Sequence, residues 1–151
     1  MMRLEKFTLK DAKDICNWKY EEEYSIYNEP TWKEMLATGK KITLEEVRNK
    51  EYVKVVDENN NYIGYGRIRT VIDDYLVGFG MKPEYTGKGL GKEFVETVIK
   101  DLHGRLVLEV RESNKRAINC YKSVGFRICD RKYLEDDIKS EYVLIMVLDK
   151  K

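Results

Sequence analysis

At 151 residues the chain has the length of one domain and enough sequence to bury a sizeable core, and 42% hydrophobic with 36% charged residues describes an ordinary globular composition. Its 28 basic and 27 acidic residues leave a formal net charge of +1 with no basic run, which argues against nucleic-acid binding through phosphates. Three cysteines that never form Cys-x-x-Cys argue against a disulfide framework or a metal site, and with no signal peptide at Met1–Lys6 and no apolar run of bilayer length a cytoplasmic protein without a membrane partner is expected.

In chain order, Leu4, Phe7 and Leu9 among charged residues predict a first strand over residues 3–9. Asp11 to Tyr20 predicts a helix with Ala12, Ile15 and Trp18 on one face. Trp18 to Trp32 interleaves Tyr20, Tyr24 and Tyr27 with Glu21, Glu22, Glu23 and Glu29, and it has two readings. It is either an amphipathic helix pair covering a sheet, with solvated glutamates, or the wall of an acceptor site. Residues 33–49 read as helical or irregular. Strands are predicted at Tyr52–Val56 and Tyr62–Arg69, joined by a loop whose asparagines tolerate positive φ. Asp73 and Asp74 turn the chain into a third strand, Tyr75–Met81. A strand at Arg105–Arg111, reached through a helix, should lie parallel to it. A helix from Asn114 to Ser123 closes at Gly125, and Phe126–Tyr133 with Tyr142–Leu148 make a final antiparallel pair. The order β-α-(α)-β-β-β-α-β-α-β-β predicts an α+β fold with one mixed, mostly antiparallel sheet, one domain over 1–151. The lone His103 reads as structural or exposed.

Seven of the ten glycines lie between Gly64 and Gly91. The run Thr86-Gly87-Lys88-Gly89-Leu90-Gly91-Lys92 sits between a strand and an amphipathic helix carrying Leu90, Phe94, Val98 and Leu102 on one face. Backbone N–H groups at such a turn, with the positive end of the helix dipole, suit a phosphate or pyrophosphate. The nucleotide P-loop pattern fails at Thr86 and at Glu93, and the dinucleotide fingerprint fails at Lys92. Gly78 and Gly80 in the preceding strand predict a bulge or close backbone approach, so that backbone groups near Phe79 and Met81 would meet an extended, amide-bearing ligand.

The loop resembles the Arg/Gln-x-x-Gly-x-Gly/Ala pyrophosphate loop of the GNAT acyltransferase superfamily. A second run, Leu108-Glu109-Val110-Arg111-Glu112-Ser113-Asn114 followed by Ala117, Tyr121, Gly125 and Phe126, is similar to that family's Asn-x-x-Ala-x-x-x-Tyr-x-x-x-Gly-Phe motif. Its form is most like enzymes that acetylate ribosomal-protein N-termini, and small-molecule acetyltransferases share it. The two motifs cover residues 77–126. The resemblance implies a GNAT-type sheet with a splayed central parallel pair. It also implies acetyl-CoA as cosubstrate and acetyl transfer to a primary amine of a small molecule, peptide or protein by direct attack in a ternary complex.

By the same resemblance the cofactor is held by Phe79, Gly80 and Met81, by Thr86, Gly87, Lys88, Gly89, Leu90, Gly91 and Lys92, and by Asn114 and Tyr121. Tyr121 would be the acid beside the thioester sulfur and Glu109, twelve residues before it, the base. Tyr121 also reads as a core tyrosine, and Glu109 as a solvent-facing residue or a partner of Arg111. Thr86 departs from the family's Arg or Gln, with Lys88 and Lys92 as electrostatic substitutes. A homodimer is compatible with the family, and a non-catalytic acyl-CoA-binding domain is the alternative function.

Overall fold

The first strand stops where its own sequence offers a helix cap. In the computed structural model, which describes residues 1–151, β1 (Arg3–Lys6) ends before Thr8, whose hydroxyl accepts from the Asp11 amide while the Asp11 carboxylate accepts from the Thr8 amide. This reciprocal box starts α1 (Leu9–Ile15) and makes the strand shorter than its hydrophobic pattern predicts. Asp11 is buried and also receives Lys54 at 2.9 Å, so its charge is paired as well as capped.

The remaining elements are α2 (Trp32–Ala37), α3 (Glu45–Glu51), β2 (Tyr52–Val56), β3 (Tyr62–Val71), β4 (Asp74–Met81), α4 (Gly91–Ile99), β5 (Gly104–Arg111), α5 (Lys115–Val124), β6 (Arg127–Leu134) and β7 (Glu141–Lys150). The strands form a seven-stranded sheet in the order β1-β2-β3-β4-β5-β7-β6. It is mostly antiparallel, with one parallel pair, β4 and β5, as the helical crossover between them requires. That parallel ladder joins Tyr75 to Leu106 and Leu76 to Val107 and stops there, whereas β5 stays paired with β7 from Gly104 to Arg111. No helix is long and apolar enough to cross a membrane.

Contacts divide the chain into two compact units, Met1–Arg67 with Phe79–Thr86 and Ile68–Gly78 with Gly87–Lys151. In the first, Phe7, Ala12, Ile15, Trp18, Met35 and Ile42 form a buried cluster, with Tyr52, Tyr62 and Tyr65 packed on it. Phe7 stacks on Tyr52 at 5.2 Å, and Trp18 meets the Tyr62 ring edge-on at 5.3 Å. In the second, the buried face of β5 (Leu106, Leu108, Val110) belongs to a core that also takes Phe94, Val95, Val98 and Ile99 of α4. Alternation puts Glu109 on the opposite, exposed face.

The stretch 18–32 is not a helix pair. It holds one 3₁₀ helix, Glu22–Tyr27, entered through Glu22 at φ 53°, and Pro30 and Thr31 then lead into α2. Long-range bonds override the local periodicity: the Tyr20 amide donates to Asn28 Oδ1 at 2.7 Å and the Tyr20 hydroxyl to the Met81 carbonyl at 2.5 Å. Asn60, in the predicted turn, takes φ 66°.

At the far end of α4, the Lys150 ammonium donates to the carbonyls of Ile99, Lys100 and Leu102 at 2.7, 2.8 and 3.1 Å. These carbonyls lie at and just past the end of α4, the negative end of its dipole, and that of Ile99 also accepts from the Leu102 amide. Lys150→Met keeps the aliphatic stem and removes the charge. It is expected to cost about 1–2 kcal/mol, read as a lower urea midpoint at unchanged slope.

Candidate active site

The glycine loop is built by two residues in a conformation that side chains resist. Gly87 has φ 71° and Gly89 φ 77°, so the backbone alternates in hand across Lys88 before entering α4. All three residues are exposed, and a Cβ placed on Gly89 would meet nothing within 4 Å. Leu90, the N-cap of α4, offers no side-chain hydrogen bond, so the first-turn N–H groups have no side-chain cap. Gly91 is small for another reason: a Cβ there would lie 2.8 Å from Cys120 Sγ, where α4 meets α5. The Cys120 thiol is pushed up in pKa by burial, as befits a packing group.

Helix α5 supplies the rest of the unit's polar groups. Asn114 is its N-cap and accepts from the Ala117 amide at 3.2 Å, so this side chain starts the helix as well as standing in the motif. Tyr121, two turns on, is half-buried and meets the Phe126 ring edge-on at 6.0 Å. Its carbonyl accepts from the Gly125 and Phe126 amides, with Gly125 at φ 121° closing the helix as predicted. Arg116, which the motifs do not mark, brings a guanidinium nitrogen 3.6 Å from the position of a Gly87 Cβ. A cation therefore lies beside the loop although Thr86 carries none. The Thr86 hydroxyl is used locally, donating to the Pro83 carbonyl at 2.7 Å across a 3₁₀ turn. Lys88 and Lys92 are exposed.

Glu109 is exposed and forms an ion pair with Lys132 of β6. Arg111, the partner considered for it from sequence, is engaged elsewhere, with Asp136 at 2.5 Å and Glu141 at 3.2 Å. In the first unit, β4 carries Phe79, Gly80 and Met81. The Met81 carbonyl accepts from Tyr20, and the next amide, Lys82, donates to the Ile63 carbonyl at 2.8 Å, so one of the backbone groups expected to be open already has a partner within the chain. A Cβ on Gly80 would run into the Tyr65 ring, which explains the glycine by close packing.

A mixed sheet with a short central parallel ladder, and an exposed glycine loop at an uncapped helix start, form the arrangement that the sequence resemblance implies. The acetyltransferase (GNAT) family model matches residues 10–126, and the chain belongs to that family of acyltransferase enzymes. Over 98 residues it is 33% identical to the ribosomal protein bS18-alanine N-acetyltransferase of Escherichia coli K12, a match covering 60% of this chain and 66% of the relative. The chain thus spans just under two thirds of the curated relatives' length. Two solved structures share the fold. The Escherichia coli ribosomal-protein-S18-alanine N-acetyltransferase is 22% identical with a TM-score of 0.68, covering 98% of this chain and 93% of the other. The Vibrio cholerae spermidine N-acetyltransferase, solved with CoA and spermine, is 18% identical with a TM-score of 0.69, covering 97% and 94%.

Proposed function

We propose that the protein transfers an acetyl group from acetyl-CoA to a primary amine by direct attack in a ternary complex. The observation that carries this reading is the loop Gly87–Gly91: two left-handed glycines, an uncapped helix start and Arg116 beside them form an anion seat at the family's pyrophosphate position. Bound there, acetyl-CoA supplies an acetyl thioester. In the same unit Asn114 would bond its amide-bearing arm, and Tyr121 would donate a hydrogen bond to the sulfur. The relatives' names, a ribosomal-protein alanine N-acetyltransferase in one case and a spermidine N-acetyltransferase in another, support an amine acceptor.

Release of free CoA across a panel of amines tests the activity; binding of CoA with no turnover on any amine would favour a non-catalytic acyl-CoA-binding domain. Arg116→Ala is expected to weaken CoA binding about tenfold at low salt, because a charge-assisted phosphate contact is worth about 1.5 kcal/mol or more. Calorimetry at two ionic strengths checks it: the loss should shrink as salt screens the exposed guanidinium.

Attack requires a neutral nitrogen. At pH 7 a lysine-like amine with pKa about 10.4 costs roughly 4.6 kcal/mol to neutralise, an α-amine near 7.8 only about 1. Glu109 is our candidate to take that proton. Its pairing with Lys132 is exposed and therefore worth about 1 kcal/mol or less, so the pair opens at little cost. Glu109→Gln is expected to lower kcat/KM about a hundredfold for a lysine-like amine and less for an α-amine. A pH–rate profile that the substitution leaves unchanged would remove Glu109 as base and leave water or Asp74.

A further inference from the structure

The first unit contains a cavity of about 340 Å³ lined by Ile15, Met35 and Ile42, by Tyr52 and Tyr65, and by the charged residues Glu29, Lys40, Lys41 and Arg67. That is the small end of the roughly 300–1,000 Å³ of ligand sites. Its charges are unevenly satisfied. Arg67 is neutralised, bonded to Glu51 at 3.0 Å and stacked on the Tyr52 ring at 5.2 Å. Lys40 and Lys41 are exposed at the edge, and neither ammonium is in an ion pair. The half-buried Glu29 carboxylate has neither a hydrogen bond nor an ion pair, and the Tyr65 hydroxyl has no hydrogen bond either. No side-chain polar atom is sealed from solvent without a partner, so the Glu29 carboxylate and the Tyr65 hydroxyl open onto the cavity, whose wall mixes charged and apolar side chains. Both groups are therefore open to a ligand that enters it.

We propose that this cavity is the acceptor pocket of the acetyl-transfer reaction and that it takes a small zwitterionic amine, an α-amino acid or a close derivative with a free carboxylate and an apolar side chain. The amine would be held by Glu29 and Tyr65, the carboxylate by Lys40 and Lys41, and the side chain by Ile15, Met35, Ile42 and the Tyr52 ring. The proposal deepens the function above and rests on it.

Three observations select this class. With Arg67 paired to Glu51, the free charges are one carboxylate and two ammonium groups, which complement a ligand with one cation and at least one anionic oxygen. A polycation would meet Lys40 and Lys41 as like charges. Glu29 lines the cavity and is in no hydrogen bond or ion pair, so an incoming ammonium has no such bond to break; burial raises its carboxyl pKa, with the Lys40 ammonium opposing. Finally, Tyr65 lines the cavity and its ring also packs against Gly80 of β4, so one side chain joins the cavity wall to the strand that the resemblance assigns to the cofactor's amide-bearing arm.

The test uses the full chain with apolar and aromatic L-amino acids, their carboxamides and spermidine. It reads binding by calorimetry in the presence of CoA and turnover by CoA release. Free acids should bind and be acetylated, and each carboxamide should show KM raised about tenfold or more, the loss of one charged hydrogen-bonded contact. Lys40→Ala with Lys41→Ala should erase the acid–amide difference, and Glu29→Gln should weaken all amino acids by a similar factor. Both lysines are exposed and the Gln change is isosteric, so the fold should persist, checked by the melting midpoint. CoA affinity should stay unchanged in every variant. Amides or spermidine used as well as free acids, with no effect of these substitutions, would overturn the pocket while leaving acetyl transfer in place. Amino acids that bind in a Glu29-dependent way without turnover would sustain the cavity as an amino-acid site and overturn the acetyl-transfer reading. No binding of any amino acid at millimolar concentration would overturn the pocket outright.

Discussion

Gly89→Val is expected to weaken CoA binding about a hundredfold or more while costing the fold only about 1–2 kcal/mol. The two effects have separate causes. Gly89 sits at φ 77°, where an L side chain pays roughly 1–2 kcal/mol and a β-branched one the upper part of that range. A Cβ there meets no protein atom within 4 Å, so the valine does not disturb packing and instead projects into the space over the loop. A pyrophosphate held by backbone N–H groups has to come within about 3 Å of them, and a branched side chain standing over the loop prevents that approach. Gly39 offers the control, with φ 69° and nothing within 4 Å of a Cβ, in the first unit. Gly39→Val should lose similar stability and keep CoA affinity. Calorimetric titration of both variants with CoA separates strain from occlusion. Equal affinity in Gly89→Val and the parent would remove the loop as the cofactor seat and with it the proposed function.

The parts legible in the sequence were those whose geometry is written in neighbouring residues. The loop's hand changes are encoded by Gly87 and Gly89 themselves, the stop of α5 by Gly125, and the parallel relation of β4 and β5 by the single helix between them. Helix α5 shows how two demands fall on one residue: Asn114 starts the helix and belongs to the motif, so its spacing to Tyr121 was readable. What was not legible depends on partners far along the chain. Residues 18–32 have a helical distribution of aromatic and acidic side chains. Tyr20 nevertheless bonds Asn28 and Met81, and the backbone settles into a short 3₁₀ turn. Arg116 lies in a helix yet comes beside the loop almost thirty residues earlier, where no local pattern shows it. Glu29 looked like one glutamate among several; Glu22 and Glu23 are exposed, and Glu29 alone of them lines the cavity with Tyr65 and Lys40. The pairing of Glu109 was missed for the same reason, because Lys132 comes from a strand that reaches it only through the β5-β7-β6 order.

Tyr121→Phe is expected to lower kcat about a hundredfold with CoA affinity changed by less than about twofold. The ring contact with Phe126 at 6.0 Å and the carbonyl that accepts from Gly125 and Phe126 are both kept by phenylalanine, so the end of α5 and the start of β6 should fold as before. The substitution then removes one hydroxyl. In the ground state a thioester sulfur is a weak acceptor and the hydroxyl contributes little to binding. As the carbon–sulfur bond breaks, charge collects on sulfur and the same hydrogen bond strengthens. Complete proton transfer is not required. If the leaving thiol resembles cysteine, with pKa about 8.5 against about 10 for tyrosine, transfer in water would be uphill by about 2 kcal/mol. In the proposed reaction the hydroxyl would therefore act chiefly as a donor whose strength follows the developing charge. Such a group lowers kcat and kcat/KM together on removal and leaves cofactor binding alone. The measurement is single-turnover acetyl transfer at saturating amine, beside CoA titration and the urea midpoint of the same variant. A parallel loss of affinity and stability would make Tyr121 a packing residue of α5. An undiminished rate would place the donor elsewhere, and in either case the assignment drawn from the Asn114-to-Phe126 motif would fall while the anion seat at Gly87–Gly91 would stand.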